Sequence, residues 1–220
     1  MTRIADCTWP EIAEVAHRSD ILICAGSLEQ HGPHLPLDVD TVIGAELARR
    51  WARGSPDRLV APALPLGASD EHLGFPGTIS IGTSVTADLV IAAVRSCSIF
   101  RSVVVLSWHG GNADALAVAE TILVSEGRHV SFWRPSVPGD AHAGRIETSI
   151  MLAIAPDRVR LHLAAPGTTD SLASLMSTLR SDGVRSVSPS GVLGDPTGAS
   201  PEEGEALLDA VLQDRKERVE

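Results

Sequence analysis

The chain is almost without lysine: of its 220 residues only Lys216 is one, and it stands in the charged C-terminal stretch. Schiff-base chemistry, a pyridoxal phosphate anchor and a P-loop lysine would all have to rest on that residue, which removes those mechanisms. Positive charge is scarce in general, with 18 Lys and Arg against 28 Asp and Glu and a formal charge of −10. The broad basic face that a phosphate backbone requires is absent, so nucleic acid is not an expected partner. No apolar run approaches the roughly 20 residues of a membrane span, and the N-terminal stretch has no basic segment followed by an apolar one. No membrane partner is expected, and the expected location is cytoplasmic. Three widely spaced cysteines, Cys7, Cys24 and Cys97, fit neither a disulfide framework nor a paired metal knuckle and read as reduced thiols. The dinucleotide-binding, P-loop, serine-hydrolase and HExxH zinc signatures are all missing.

What is present is a globular composition, 44% hydrophobic and 21% charged, at a length suited to one α/β domain. Apolar runs at 21–25, 59–61 and 103–106 predict strands, with further short ones at Ile79–Ile81 and 129–133. Helical spacing or capping predicts helices over 8–19, 42–54, 86–101, 113–126 and 201–218, and one with Glu147 early in it that runs through Ile154. Residues 164–198 are rich in Ser, Gly, Thr and Pro with weak periodicity. The alternation argues a single-domain α/β fold over 1–220, a mostly parallel sheet flanked by helices, with its site beyond the carboxyl ends of the strands.

Ligand-type residues collect on those loops. Glu29 and His31, two apart after the first clear strand, project the same way if the chain stays extended. Asp40 stands at a helix start, His109 leaves the most β-branched strand, and His142 and Glu147 open a later helix. Singly, an Asp at a helix start is an N-cap and a lone His a satisfied polar group. Six together on post-strand loops point to Zn, Mn or Fe, and they are too many for one catalytic zinc, so two divalent ions sharing a carboxylate is the economical version.

Gly26-Ser27-Leu28-Glu29-Gln30-His31-Gly32-Pro33-His34-Leu35-Pro36-Leu37-Asp38-Val39-Asp40-Thr41 closely resembles the signature of the creatininase (creatinine amidohydrolase) family. Segments 71–78, 109–112, 142–149 and 191–196 match further family stretches in order. The resemblance implies a creatininase-like α/β hydrolase with a binuclear centre, commonly assembled as a hexamer, a trimer of dimers. Carried over by motif position, Glu29, Asp40 and His109 would hold one metal and His31, Asp40 and Glu147 the other, with Asp40 as the bridge. A water shared by the metals would attack a planar C–N carbonyl carbon. His142 would carry the proton to the leaving nitrogen; the alternative is a structural His beside the ligands.

His34 and His72 are candidates for the substrate side, with Asp38 and Glu71 beside them, though His34 could equally fix its own loop. Trp108 could wall the pocket or belong to a core or interface. Where creatininase itself carries Tyr and Glu after the metal-binding His, this sequence has Gly110 and Gly111. That removes an aromatic wall and one carboxylate and opens space for a larger substrate. The HGGN form and the segment Asp140–Ser149 look most like the mycofactocin-system branch. This implies a peptidase that cuts a short modified precursor peptide near its C-terminus and releases a C-terminal dipeptide-derived core. A small-amide hydrolase acting on a cyclic amide or formamide, or a non-catalytic scaffold, are the alternatives.

Overall fold

Apolar runs that begin at a polar residue make the three central strands of the sheet. In the computed structural model, which describes residues 2–217, five strands lie in the order β1-β3-β2-β4-β5, and every pairing is parallel. They are β1 (Thr2–Arg3), β2 (Asp20–Cys24), β3 (Arg58–Val60), β4 (Ser102–Leu106) and β5 (Val130–Trp133). Eight α-helices follow one another among the described residues: α1 (Trp9–Val15), α2 (Val39–Ala52), α3 (Gly82–Ser96), α4 (Ala113–Ser125), α5 (Arg145–Ile154), α6 (Leu172–Asp182), α7 (Val184–Val187) and α8 (Pro201–Glu217). None is long and apolar enough to cross a membrane. The chain forms two compact units. One takes the segments up to Ser27, Asp40–Ala68 and Ile81–Pro135; the other takes Leu28–Val39, Ser69–Ser80 and the chain from Ser136 onward.

The first unit contains the whole sheet. Ile21, Ile23, Val103 and Val105 of the central strands pack with Val90, Ile91 and Val94 of α3 and Leu116, Ala119 and Leu123 of α4. Residues 21–24 and 103–106 are buried without alternation, as a parallel strand covered on both faces requires. On α2, Gly44 approaches β2 so closely that a Cβ there would lie 2.4 Å from the Cys24 sulfur. Strand order reverses at β2, with β3 on one side and β4 on the other. The chain ends leaving β2 and β4 therefore flank a topological switch point, where parallel α/β sheets place ligands.

In the second unit α5 and α8 pack together, and Gly204 of α8 sits so near Ser149 of α5 that a Cβ would come within 2.0 Å of its carbonyl oxygen. Leu175, Leu179, Val184 and Leu193 form a small core. An isolated antiparallel bridge joins His142 to Leu193, whose N–H donates to the His142 carbonyl at 2.9 Å.

Several sequence expectations are corrected. No named strand forms at Ile79–Ile81: two alternating residues are too few to build a ladder, and the Ile79 N–H donates instead to the Leu28 carbonyl at 2.9 Å. α3 starts at Gly82, ahead of Thr86, and stops at Ser96, because Arg101 is drawn to the head of β2. There its N–H donates to the Ser19 carbonyl at 2.9 Å and its guanidinium to Asp20 at 2.6 Å. Residues 164–198 contain α6 and α7. Their serine-rich faces conceal the apolar spacing of Leu172, Leu175 and Leu179, and α6 ends at Gly183, whose φ is +75°. β1, two residues long, carries no apolar pattern to announce it. The helix expected to end at Arg218 is described to Glu217; its expected last residue lies outside the described residues.

Candidate metal centre

At the switch point of the first unit, Asp40 enters in the first turn of α2 and His109 follows β4. Both are buried, at 2% and 6% exposure. The His109 Nε2–H donates to the Ala68 carbonyl at 2.8 Å, a group that can only accept. His109 Nδ1 therefore faces Asp40 Oδ2, 3.1 Å away, either as an imidazolium or as a neutral ring whose lone pair shares a cation with the carboxylate. A ring N–H spent on a main-chain carbonyl is the usual support of a metal-ligating histidine. Ser27 Oγ donates to the same Asp40 oxygen at 2.5 Å. Asn112 steadies the Ala68 peptide, accepting its N–H at 2.9 Å and donating to the Gly26 carbonyl at 3.0 Å. Burial and the nearby Asp40 charge push the Cys24 thiol up to about 12, so it is an inert neighbour.

The second unit gathers five more donors. Glu29 and His31 are fully buried and His72 is 4% exposed. His31 Nδ1–H donates to the Glu29 carbonyl at 3.1 Å, which leaves Nε2 as the lone-pair nitrogen, and that atom faces Glu147 Oε2 at 3.9 Å. This separation exceeds a hydrogen bond but suits two ligands of one ion, each roughly 2 Å from it. Glu147 lies in the first turn of α5, and its Oε2 accepts the Ala143 N–H at 2.6 Å. Ala143 is held at a φ of +52°, a strained setting for a non-glycine residue between two site residues. Glu29 Oε1 is faced by His72 Nε2 at 3.4 Å and His142 Nδ1 at 3.7 Å. The His142 ring lies 4.3 Å from that of His31 and 4.6 Å from that of His72.

Two triads, Glu29–His72–His142 and His31–His142–Glu147, thus bring ligand atoms within 4.8 Å of one another. Imidazole nitrogens and carboxylate oxygens buried at this density fit a divalent transition metal, since a buried carboxylate needs a cation or strong donors beside it.

The structure joins Glu29, His31, Glu147, His142 and His72 in one unit and pairs Asp40 with His109 in the other. His34 is fully buried, with Nε2 2.9 Å from the Thr148 hydroxyl, and burial, helped by the His31 ring, pushes its imidazole down to about 4. Asp38 is salt-bridged to Arg158 at 2.6 Å. Trp108 is half-buried after β4, and Gly110 is exposed, with nothing within 4 Å of where its Cβ would sit. Sequence reasoning missed Ser27, Thr148, Asn112 and Gln30 as partners of the site. A polar residue between two ligand types was the available signal for Gln30.

The sequence matches the Creatininase family, described as creatinine amidohydrolase, over residues 5–219. A mycofactocin precursor peptide peptidase of Mycolicibacterium smegmatis (strain ATCC 700084 / mc(2)155) is 46% identical over 206 residues, covering 90% of this chain and 83% of that protein. Creatinine amidohydrolase of Pseudomonas putida is 27% identical over 248 residues, covering 96% and 93%. A solved mutant creatininase of Zn-Zn type shares the fold at a TM-score of 0.80 and 22% identity, covering 98% of this chain and 96% of that one.

Proposed function

This chain belongs to the creatininase family, and from that premise we propose that it is the peptidase that cuts a short modified precursor peptide near its C-terminus, releasing the C-terminal dipeptide-derived core. It is a hydrolase of C–N amide bonds that works with divalent metal. The observation carrying the reading is that His31 and His109 each donate one ring N–H to a main-chain carbonyl and aim the other nitrogen at a carboxylate. Glu29, His31, Asp40, His109 and Glu147 would hold two divalent ions, of Zn, Fe or Mn. Bound there, the metals supply Lewis acidity toward the amide carbonyl and lower the pKa of water. The family match runs through both compact units, in support of one hydrolase domain over the chain.

The protein's own residues do the rest. His142 donates Nε2–H to the Gln30 carbonyl at 2.7 Å, which puts the ring lone pair on Nδ1, on the side of Glu29, where it takes a proton and hands it to the leaving nitrogen. Gly110 leaves open space where a side chain would stand, and with Gly111 it gives a peptide backbone room that a closed small-ring pocket would deny. Trp108, His34 and His72 border or support the substrate side. The 46% identity to a peptide peptidase against 27% to creatinine amidohydrolase supports the same choice. A cytoplasmic homo-oligomer, a hexamer built as a trimer of dimers, completes the proposal.

Mass spectrometry of the metal-loaded protein with the modified peptide and with creatinine tests it. Peptide cleavage with little creatinine turnover is expected. Efficient creatinine ring opening beside an intact peptide would move the assignment to a small-amide hydrolase. Gly110→Tyr should obstruct the peptide far more than a small amide, and equal losses on both would reduce the glycines to loop geometry.

A further inference from the structure

Gln30 stands between two proposed ligands yet is no ligand itself, and it is 5% exposed. Its carboxamide has a determinable orientation. Gly32 N–H can only donate, and it lies 2.8 Å from Oε1; the Gly191 carbonyl can only accept, and it lies 3.0 Å from Nε2. The amide is therefore anchored at both ends by main-chain groups of fixed polarity. Gly191 leaves it the room, since a Cβ there would come within 1.8 Å of Oε1.

The orientation dictates the protons on two rings. Gln30 Nε2 reaches His72 Nδ1 at 2.9 Å as a donor, so that nitrogen must accept and the neutral His72 ring carries its hydrogen on Nε2, toward Glu29 Oε1. On the other side, His142 Nε2 lies 2.7 Å from the Gln30 main-chain carbonyl, which can only accept, so this ring too carries its hydrogen on Nε2. The 3.1 Å approach of Gln30 Nε2 to the same nitrogen sets two donors side by side and makes no hydrogen bond. His72 becomes a donor that holds the Glu29 carboxylate, not a lone-pair ligand, and His142 carries its ring lone pair on Nδ1, 3.7 Å from Glu29 Oε1.

We infer that Gln30 is a positioning residue of the site, whose side-chain amide and main-chain carbonyl fix His72 and His142 in their Nε2–H tautomers, so that one orients Glu29 and the other turns its ring lone pair on Nδ1 toward the same carboxylate. This rests on the hydrolase reading above for its consequence in the reaction, but not for the tautomers. Solid-state nitrogen spectra of the ¹⁵N-histidine-labelled full-length protein, assigned by loss of signals in His72→Asn and His142→Asn, read the tautomers directly. Both rings should be Nε2–H in the native protein. The carboxylate introduced by Gln30→Glu should draw the His72 hydrogen onto Nδ1. Gln30→Met, with circular dichroism as a check of the fold, should lower kcat for the peptide by about 10–100-fold at saturating metal with KM unchanged.

A native His72 protonated on Nδ1, or a His72 tautomer untouched by Gln30→Glu, would overturn the assignment; so would a Gln30→Met variant that keeps full kcat. The native spectra decide even if a variant fails to fold. If native protein shows the expected tautomers but cleaves no peptide, the proposed substrate falls and the placement of Gln30 stands.

Discussion

The histidines of this protein differ by what their second nitrogen meets. His31 and His109 spend one N–H on a main-chain carbonyl and turn the other nitrogen to a carboxylate, the setting of a ligand. His142 spends its N–H in the same way but presents Nδ1 to Glu29 at 3.7 Å, next to the proposed ligands rather than among them. His142→Ala should therefore keep its metal while losing turnover by on the order of 10²–10⁴-fold, the cost of a lost proton carrier. Metal analysis beside kinetics separates the roles, because loss of metal in that variant would make His142 a ligand. His34 is different again: it is buried and held neutral, with an imidazole pushed from 6.5 down to about 4. The unfolded chain takes up that proton as pH falls through 6.5 and the native protein does not, so stability is present above 6.5 and declines toward pH 4 with the slope of one proton. Urea titrations of metal-free protein at several pH values should show the decline, and His34→Gln should flatten it.

At the scale of elements, the geometry depends on close helix approaches. α5 carries Glu147 in its first turn and leans on α8 through Gly204, which has no room for a side chain against the Ser149 carbonyl. Gly204→Val should cost about 1–3 kcal/mol through overpacking, read as a lower urea midpoint at unchanged slope. Because α5 shifts with it, metal affinity should fall as well; a stable variant with native affinity would show that α8 does not set the position of Glu147. β2 and β4 work by a different device. Their parallel pairing at the switch point delivers Asp40 and His109 from two distant stretches of chain, and Asn112, in the turn that follows β4, ties that turn to Ala68 and Gly26.

For the molecule as a whole, metal and fold should be linked. Each of the two units buries carboxylates beside imidazoles, Asp40 with His109 in one and Glu29 with His31 and His72 in the other, and divalent ions that bind such donors in the native state alone stabilise it. Elemental analysis of reconstituted protein should find about two divalent ions per chain, and chelation should lower the melting temperature. One tightly held ion in a fully active sample would remove the binuclear arrangement. Asp40→Ala should lose both ions if its carboxylate is shared, whereas Glu29→Ala should weaken mainly one.

The alternation of apolar runs with polar, glycine-containing loops determined the parallel sheet by itself, because burial on both faces leaves an unbroken β-branched run that needs no partner to be read. The ligand types were equally legible: Glu29, His31, Asp40, His109, His142 and Glu147 stand where strands end or helices begin, and one motif carried the family. Tertiary structure alone decided which ring nitrogen each histidine presents. Those choices are made by single carbonyls and by Gln30, whose partners His72, His142 and Gly191 lie 42, 112 and 161 residues away. No local pattern spans such distances. α6 and α7 were hidden for a related reason, since their small core closes against Leu193 and leaves serine-rich faces outward.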